Sequence, residues 1–131
     1  MPDKNTQQQT QVDLVNPDFG VDDGRWQWDV QMNIVRATRK AFDVFGLDYR
    51  AEGYSMRQLL QAIHADDRAH VEAQITAMTL KKLHDTIIQY RIIQPDNSIR
   101  LARTYGKAIV NEEGVLTHLA GMTEDVTGKA S

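Results

Sequence analysis

The chain has 131 residues, 41% apolar and 25% charged, the balance of one globular domain that buries about two thirds of its unfolded surface without needing a metal or disulfides. It contains no cysteine, which removes disulfides, thiolate metal sites, thiol nucleophiles and thiol-linked chromophores, and which fits a reducing cytoplasm. A formal net charge of -3 argues against a nucleic-acid module, whose affinity comes from clustered Lys and Arg, so the densest basic run, Arg36, Arg39 and Lys40, reads as a solvated face.

No stretch approaches the roughly 20 consecutive apolar residues that span a bilayer. Residues 1–11 are polar and Gln-rich where a secretory signal needs an apolar run, so the expectation is a soluble, unexported, cytoplasmic protein. Val12, Leu14, Val15 and Phe19 then form a short apolar patch broken by Asn16-Pro17, which reads as a cap. Asp22-Asp23-Gly24 is a turn signal. It divides a tail and cap over residues 1–24 from a folded domain over residues 25–127, with a short tail at 128–131.

From Arg25 to Gln31 the residues Trp26, Trp28 and Val30 alternate with Gln27, Asp29 and Gln31, the period of a half-buried strand with both indoles on one face. A second strand is predicted over Ile34 to Thr38. Ala41 to Phe45 followed by Gly46 fits one helical turn closed by a glycine. Ser55 to Ile63 reads as a helix capped by Ser55, and His64 to Asp67 interrupts it. A further helix follows, with Asp66 or Asp67 at its positively polarised end, a Val71, Ile75, Met78 stripe, and a close near Lys81-Lys82. Ile87–Ile93, Ile99–Val110 and Val115–Val126 are three strand-like runs joined by Pro95-Asp96-Asn97-Ser98 and Asn111-Glu112-Glu113-Gly114, both good turn sequences. The layout is α+β, with one antiparallel sheet and its helices packed on one face.

This order of elements, opened by Trp26-Gln27-Trp28-Asp29, resembles the PAS fold, in the subgroup whose first strand reads Trp-x-Trp-Asp. Phe45-Gly46-Leu47-Asp48 is similar to the family's short helix ending in Phe-Gly. Ile63-His64-Ala65-Asp66-Asp67-Arg68 is similar to its Ile-His-Pro-Asp-Asp-Arg linker, with Ala65 for proline. Tyr90-Arg91-Ile92-Ile93 with Asp96-Asn97-Ser98 resembles its Tyr-Arg-Ile strand and Asp-Gly-Ser hairpin, and Gly121 to Thr127 resembles its closing Gly-x-x-x-Asp-Ile-Thr. The resemblance implies a five-stranded antiparallel sheet and a sensory module that relays a signal to an effector such as a histidine kinase or diguanylate cyclase. It also implies a homodimer through the cap residues Val12, Leu14, Val15 and Phe19.

The resemblance places a ligand pocket between helices and sheet, and Trp28, Met56, Met78, Ile88, Tyr90, Ile92 and Met122 are its candidate lining, the methionines being adaptable. The bland alternative is a filled core with no ligand, in a module that only pairs proteins. Haem through His70 is disfavoured, because that position lies about 100° around the helix from Val71. Non-covalent flavin would need Trp26, Trp28 or Tyr90 to stack on it, yet inward aromatics usually pack as core. His64, His70, His84 and His118 form no metal-ligand spacing, and no nucleophile with a placed base suggests catalysis. By resemblance Asp125 and Thr127 carry the output. The chain stops four residues beyond Thr127, which suggests an excised domain or a small protein acting through a partner.

Overall fold

The structure, a computed structural model, describes residues 24–128. The cap residues Val12, Leu14, Val15 and Phe19 lie outside the described residues. Among the described residues the elements are, in chain order, β1 (Arg25–Asp29), β2 (Ile34–Ala37), α1 (Arg39–Val44), α2 (Met56–Ala62), α3 (Ala65–Lys81), β3 (Thr86–Ile93), β4 (Ile99–Val110) and β5 (Leu116–Asp125). The five strands make one sheet in the order β2-β1-β5-β4-β3, every neighbouring pair antiparallel. Because β1 pairs with β5, the first and last strands lie together at the middle of the sheet.

Local chemistry explains where each element begins and ends. β1 stops at Asp29, two residues before the predicted end, because Asp29 Oδ1 accepts the Met32 N–H at 3.0 Å and starts a turn that Asn33 completes at φ 57. Thr38 belongs to α1, and not to β2 as predicted: it is the N-cap, in an extended conformation, with its hydroxyl accepting from Ala41 N. Gly46 takes φ 72 just past that helix, as the glycine there implied. Ser55 and Gln58 form a reciprocal capping box on α2.

The predicted break before α3 is shorter than expected. Only Ile63 and His64 separate the helices, and His64 is the N-cap, its Nδ1 accepting Asp66 N–H at 3.1 Å, so Asp66 and Asp67 sit in the first turn. Arg68 bridges the junction by donating to the carbonyls of Leu60, Gln61 and Ile63, acceptors at the C-terminal end of α2.

The three helices lie over the inner face of the sheet. β3 contributes Ile88, Tyr90 and Ile92 to that face, β4 contributes Ala102, Thr104, Gly106 and Ala108, and β5 contributes Leu119 and Thr123, all buried. Small residues on the central strands leave room for the helices, whose Phe42, Val71 and Met78 are nearly inaccessible. Both indoles share the inner face, as their alternation predicted, and pack against this core.

Candidate functional site

Where the helices bridge the sheet, the core is not completely filled. A cavity of about 80 Å³ lies between them, with wall residues from each of the described strands and helices. Of the predicted lining, Met56, Met78, Ile88 and Tyr90 stand on its wall. Ile92 is fully buried and forms an isolated bridge with the wall residue Ile63, but is not itself on the wall.

Two expectations need correction. Trp28 packs against the core, yet its indole N–H donates to Asn33 Oδ1 at 3.0 Å at the β1–β2 turn, and Trp26, two residues earlier on the same face, forms the wall instead. Met122 is 44% exposed and lies on the outer face, opposite Tyr105. The inward phase of β5 is carried by Leu119 and Thr123, and a strand residue one position out of phase faces the other way.

The polar part of the wall was missed from sequence. Tyr90 Oη lies 2.7 Å from Thr104 Oγ1, which lies 2.8 Å from Thr123 Oγ1, a chain of buried hydroxyls across β3, β4 and β5. Burial pushes the Tyr90 phenol up to about 12 against the opposing pull of the Thr104 and Thr123 hydroxyls, so it stays neutral. A signal for Thr104 existed in β4, where Ala102, Thr104, Gly106 and Ala108 alternate with Arg103, Tyr105 and Lys107. Gly106 leaves space there: a Cβ would come within 2.8 Å of Met78 Cε and 3.4 Å of the Trp26 ring. Among the described residues, none on the wall carries a formal charge.

Neither cofactor weighed from sequence fits this packing. Cavities that hold drug-sized ligands run from about 300 Å³ upward, well beyond the space between the helices and the sheet. His70 is on the exposed side of α3.

At the end of β5 the two predicted output residues close a tight arrangement. Asp125 Oδ1 accepts from Thr127 N at 2.8 Å, Thr127 Oγ1 accepts from Leu101 N at 2.8 Å, and Asp125 Oδ2 is 3.8 Å from Arg100 Nε. Between them the buried Val126 donates its N–H to Leu101 O. The segment leaving the sheet is therefore held to β4 by side chains as well as backbone.

Comparisons with known proteins place this architecture. The structure superposes on the N-terminal domain of a diguanylate cyclase with PAS/PAC sensor from Marinobacter aquaeolei with a TM-score of 0.72 at 15% identity, covering 80% of this chain and 95% of that one. A sensory box histidine kinase/response regulator from Burkholderia thailandensis gives 0.67 at 22% identity over 81% of this chain and 78% of that one. A domain of a light and redox sensing histidine kinase of Haloarcula marismortui gives 0.67 at 18% identity, over 80% and 90% of the respective chains. No curated protein sequence matches. A family profile described as the PAS fold matches residues 34–123, most of the folded part, and with the five-stranded sheet and helix placement this makes the chain a member of the PAS family.

Proposed function

We propose that this domain is a cytoplasmic sensory input module: a small molecule enters the cavity between helices and sheet, the packing shifts, and β5 reports the change through Asp125 and Thr127 to an effector such as a histidine kinase or diguanylate cyclase. The observation that carries this reading is the cavity itself, an unfilled space lined from every element, with a chain of hydroxyls on its wall. Cores otherwise pack to near-crystalline density, and leaving space forfeits dispersion contacts, so a retained void with polar groups calls for an occupant. Thr123 lies on β5 two residues before Asp125, which gives the occupant a short route to the exit. The domain performs no chemistry of its own in this reading.

Xenon-129 NMR of the purified chain tests whether the cavity admits a guest. Concentration-dependent shifts at Ile88, Leu119 and Met78 that extend along β5 to Thr127 are expected. A protein whose core resonances ignore xenon has no accessible site, and the sensing reading fails.

A second reading, a ligand-free pairing module, draws support from the outer face, where Ile87, Tyr105 and Met122 are exposed around a shallow depression floored by Ala120 and Gly121. We propose a homodimer involving this family-typical face and the apolar residues Val12, Leu14, Val15 and Phe19. Light scattering checks it: a monomer at high concentration that is unchanged by deleting residues 1–20 overturns the dimer.

A further inference from the structure

The wall of the cavity limits what the occupant can be. Charged guests are disfavoured, because among the described residues the wall offers no formal charge to pair with them and a buried unpaired ion is prohibitively costly. Large guests are disfavoured by size: an engineered cavity of about 150 Å³ takes one benzene, so the present volume of about 80 Å³ suits roughly three or four heavy atoms. A purely apolar guest would leave the polar wall unused. Tyr90, Thr104 and Thr123 carry three hydroxyl hydrogens for the two links between them, so one donor remains, and the row as a whole keeps spare acceptor lone pairs.

We propose that the physiological occupant is a small, neutral, oxygen-bearing molecule, an alcohol or carbonyl compound of about this size, whose oxygen joins the Tyr90–Thr104–Thr123 hydroxyl chain. The inference rests on the sensing reading above and adds the chemistry of the ligand. The hydrocarbon part of the guest lies against Met78, Ile88 and Leu119, and its oxygen extends the hydroxyl row. The thioether of Met78 and the side chain of Met56 adjust to guests of slightly different shape.

The test titrates the purified chain with 2-propanol, acetone, propionate and xenon, followed by amide and methyl NMR. Binding of 2-propanol and acetone is expected on the order of millimolar, as befits so few atoms. Saturable shifts should centre on Thr104 and Thr123, and propionate should produce none. Thr104→Val and, separately, Tyr90→Phe should each weaken 2-propanol by roughly three- to tenfold while leaving xenon binding nearly unchanged. Retained xenon shifts also show that each variant is folded with its cavity open. If xenon binds but 2-propanol and acetone do not, or if they bind equally well to both variants, the assigned ligand class is wrong although the cavity is a real site. If xenon also fails, the sensing reading falls with it. Propionate binding as tightly as 2-propanol overturns the neutral assignment.

Discussion

Arg91 holds Asp67 by three hydrogen bonds: Nη2 to Oδ1 at 2.8 Å, Nε to Oδ2 at 3.0 Å, and the Arg91 backbone N–H to Oδ2 at 2.8 Å. One carboxylate in the first turn of α3 thus ties the helix to both the backbone and the side chain of β3. His64 N donates to Arg91 O and Ile63 bridges Ile92, so the whole α2–α3 junction is fastened to this edge strand. The Arg91 guanidinium holds the Asp67 carboxyl at about 2, below its ordinary 3.8, against a smaller opposing effect of burial. A folded-state value below the unfolded one stabilises the fold at pH above about 4, and that contribution is lost as pH falls from about 4 towards 2. Asp67→Asn is expected to cost roughly 1–3 kcal/mol at neutral pH and to flatten this acid limb. Urea unfolding at pH 7, 4 and 2.5 checks it: a variant that shows the full acid dependence of the parent would remove the ion pair from the account.

Two glycines on facing strands should respond in opposite ways. A Cβ on Gly121 would run into the Tyr105 carbonyl oxygen, a backbone group that cannot step aside, whereas one on Gly106 meets the flexible end of Met78. Gly121→Ala should cost on the order of 3 kcal/mol or more, and Gly106→Ala within about 1 kcal/mol. The Gly106 variant should also bind xenon more weakly, since the new methyl enters the cavity. Thermal unfolding of the pair settles the contrast, and equal Tm losses would contradict it.

The exit from the sheet offers a local readout. Thr127 Oγ1 is the acceptor for the Leu101 amide, and replacing it by Val leaves that amide to water. Thr127→Val should cost about 0.5–1.5 kcal/mol and speed hydrogen exchange at Leu101 far more than at Tyr90 or Thr104. In a fusion to an effector it should weaken the response to a guest while leaving guest binding intact. Unchanged exchange at Leu101 would show that the hydroxyl does not hold the exit.

Ser55 controls the start of α2, the helix that brings Met56, Leu59 and Leu60 to the cavity. Ser55→Ala removes half of the capping box and should cost about 1 kcal/mol. Ser55→Asp, another good cap, should restore most of that stability in denaturant titrations.

The parts of this protein that were legible in the sequence are those set by near neighbours along the chain. Strand alternation at Trp26 and Trp28, the Ser55 cap, the glycine at 46, the Asn97 and Gly114 turns and the outward phase of His70 all depend on local dihedrals and side-chain period, and each stands where expected. Boundaries moved by one or two residues where a side chain captured a backbone group, as at Asp29, Thr38 and His64. The ordering of motifs was enough to indicate the family.

The site was only half legible, because a wall is defined by residues from separated segments. Met122 and Thr123 are adjacent in sequence and face opposite sides of the sheet, and β5 alone, a run of mixed polarity, does not declare which one turns inward. The antiparallel pairing that sets Thr104 beside Thr123, and the strand order that brings β3 next to β4 so that the Tyr90 hydroxyl reaches Thr104 on the diagonal, decide it. Element identity follows from local propensity and turn chemistry in the sequence itself. The hydroxyl chain, the cavity and the exchange of Trp28 for Trp26 follow from register and packing, which depend on contacts far apart in the chain and exist only once the tertiary structure has formed.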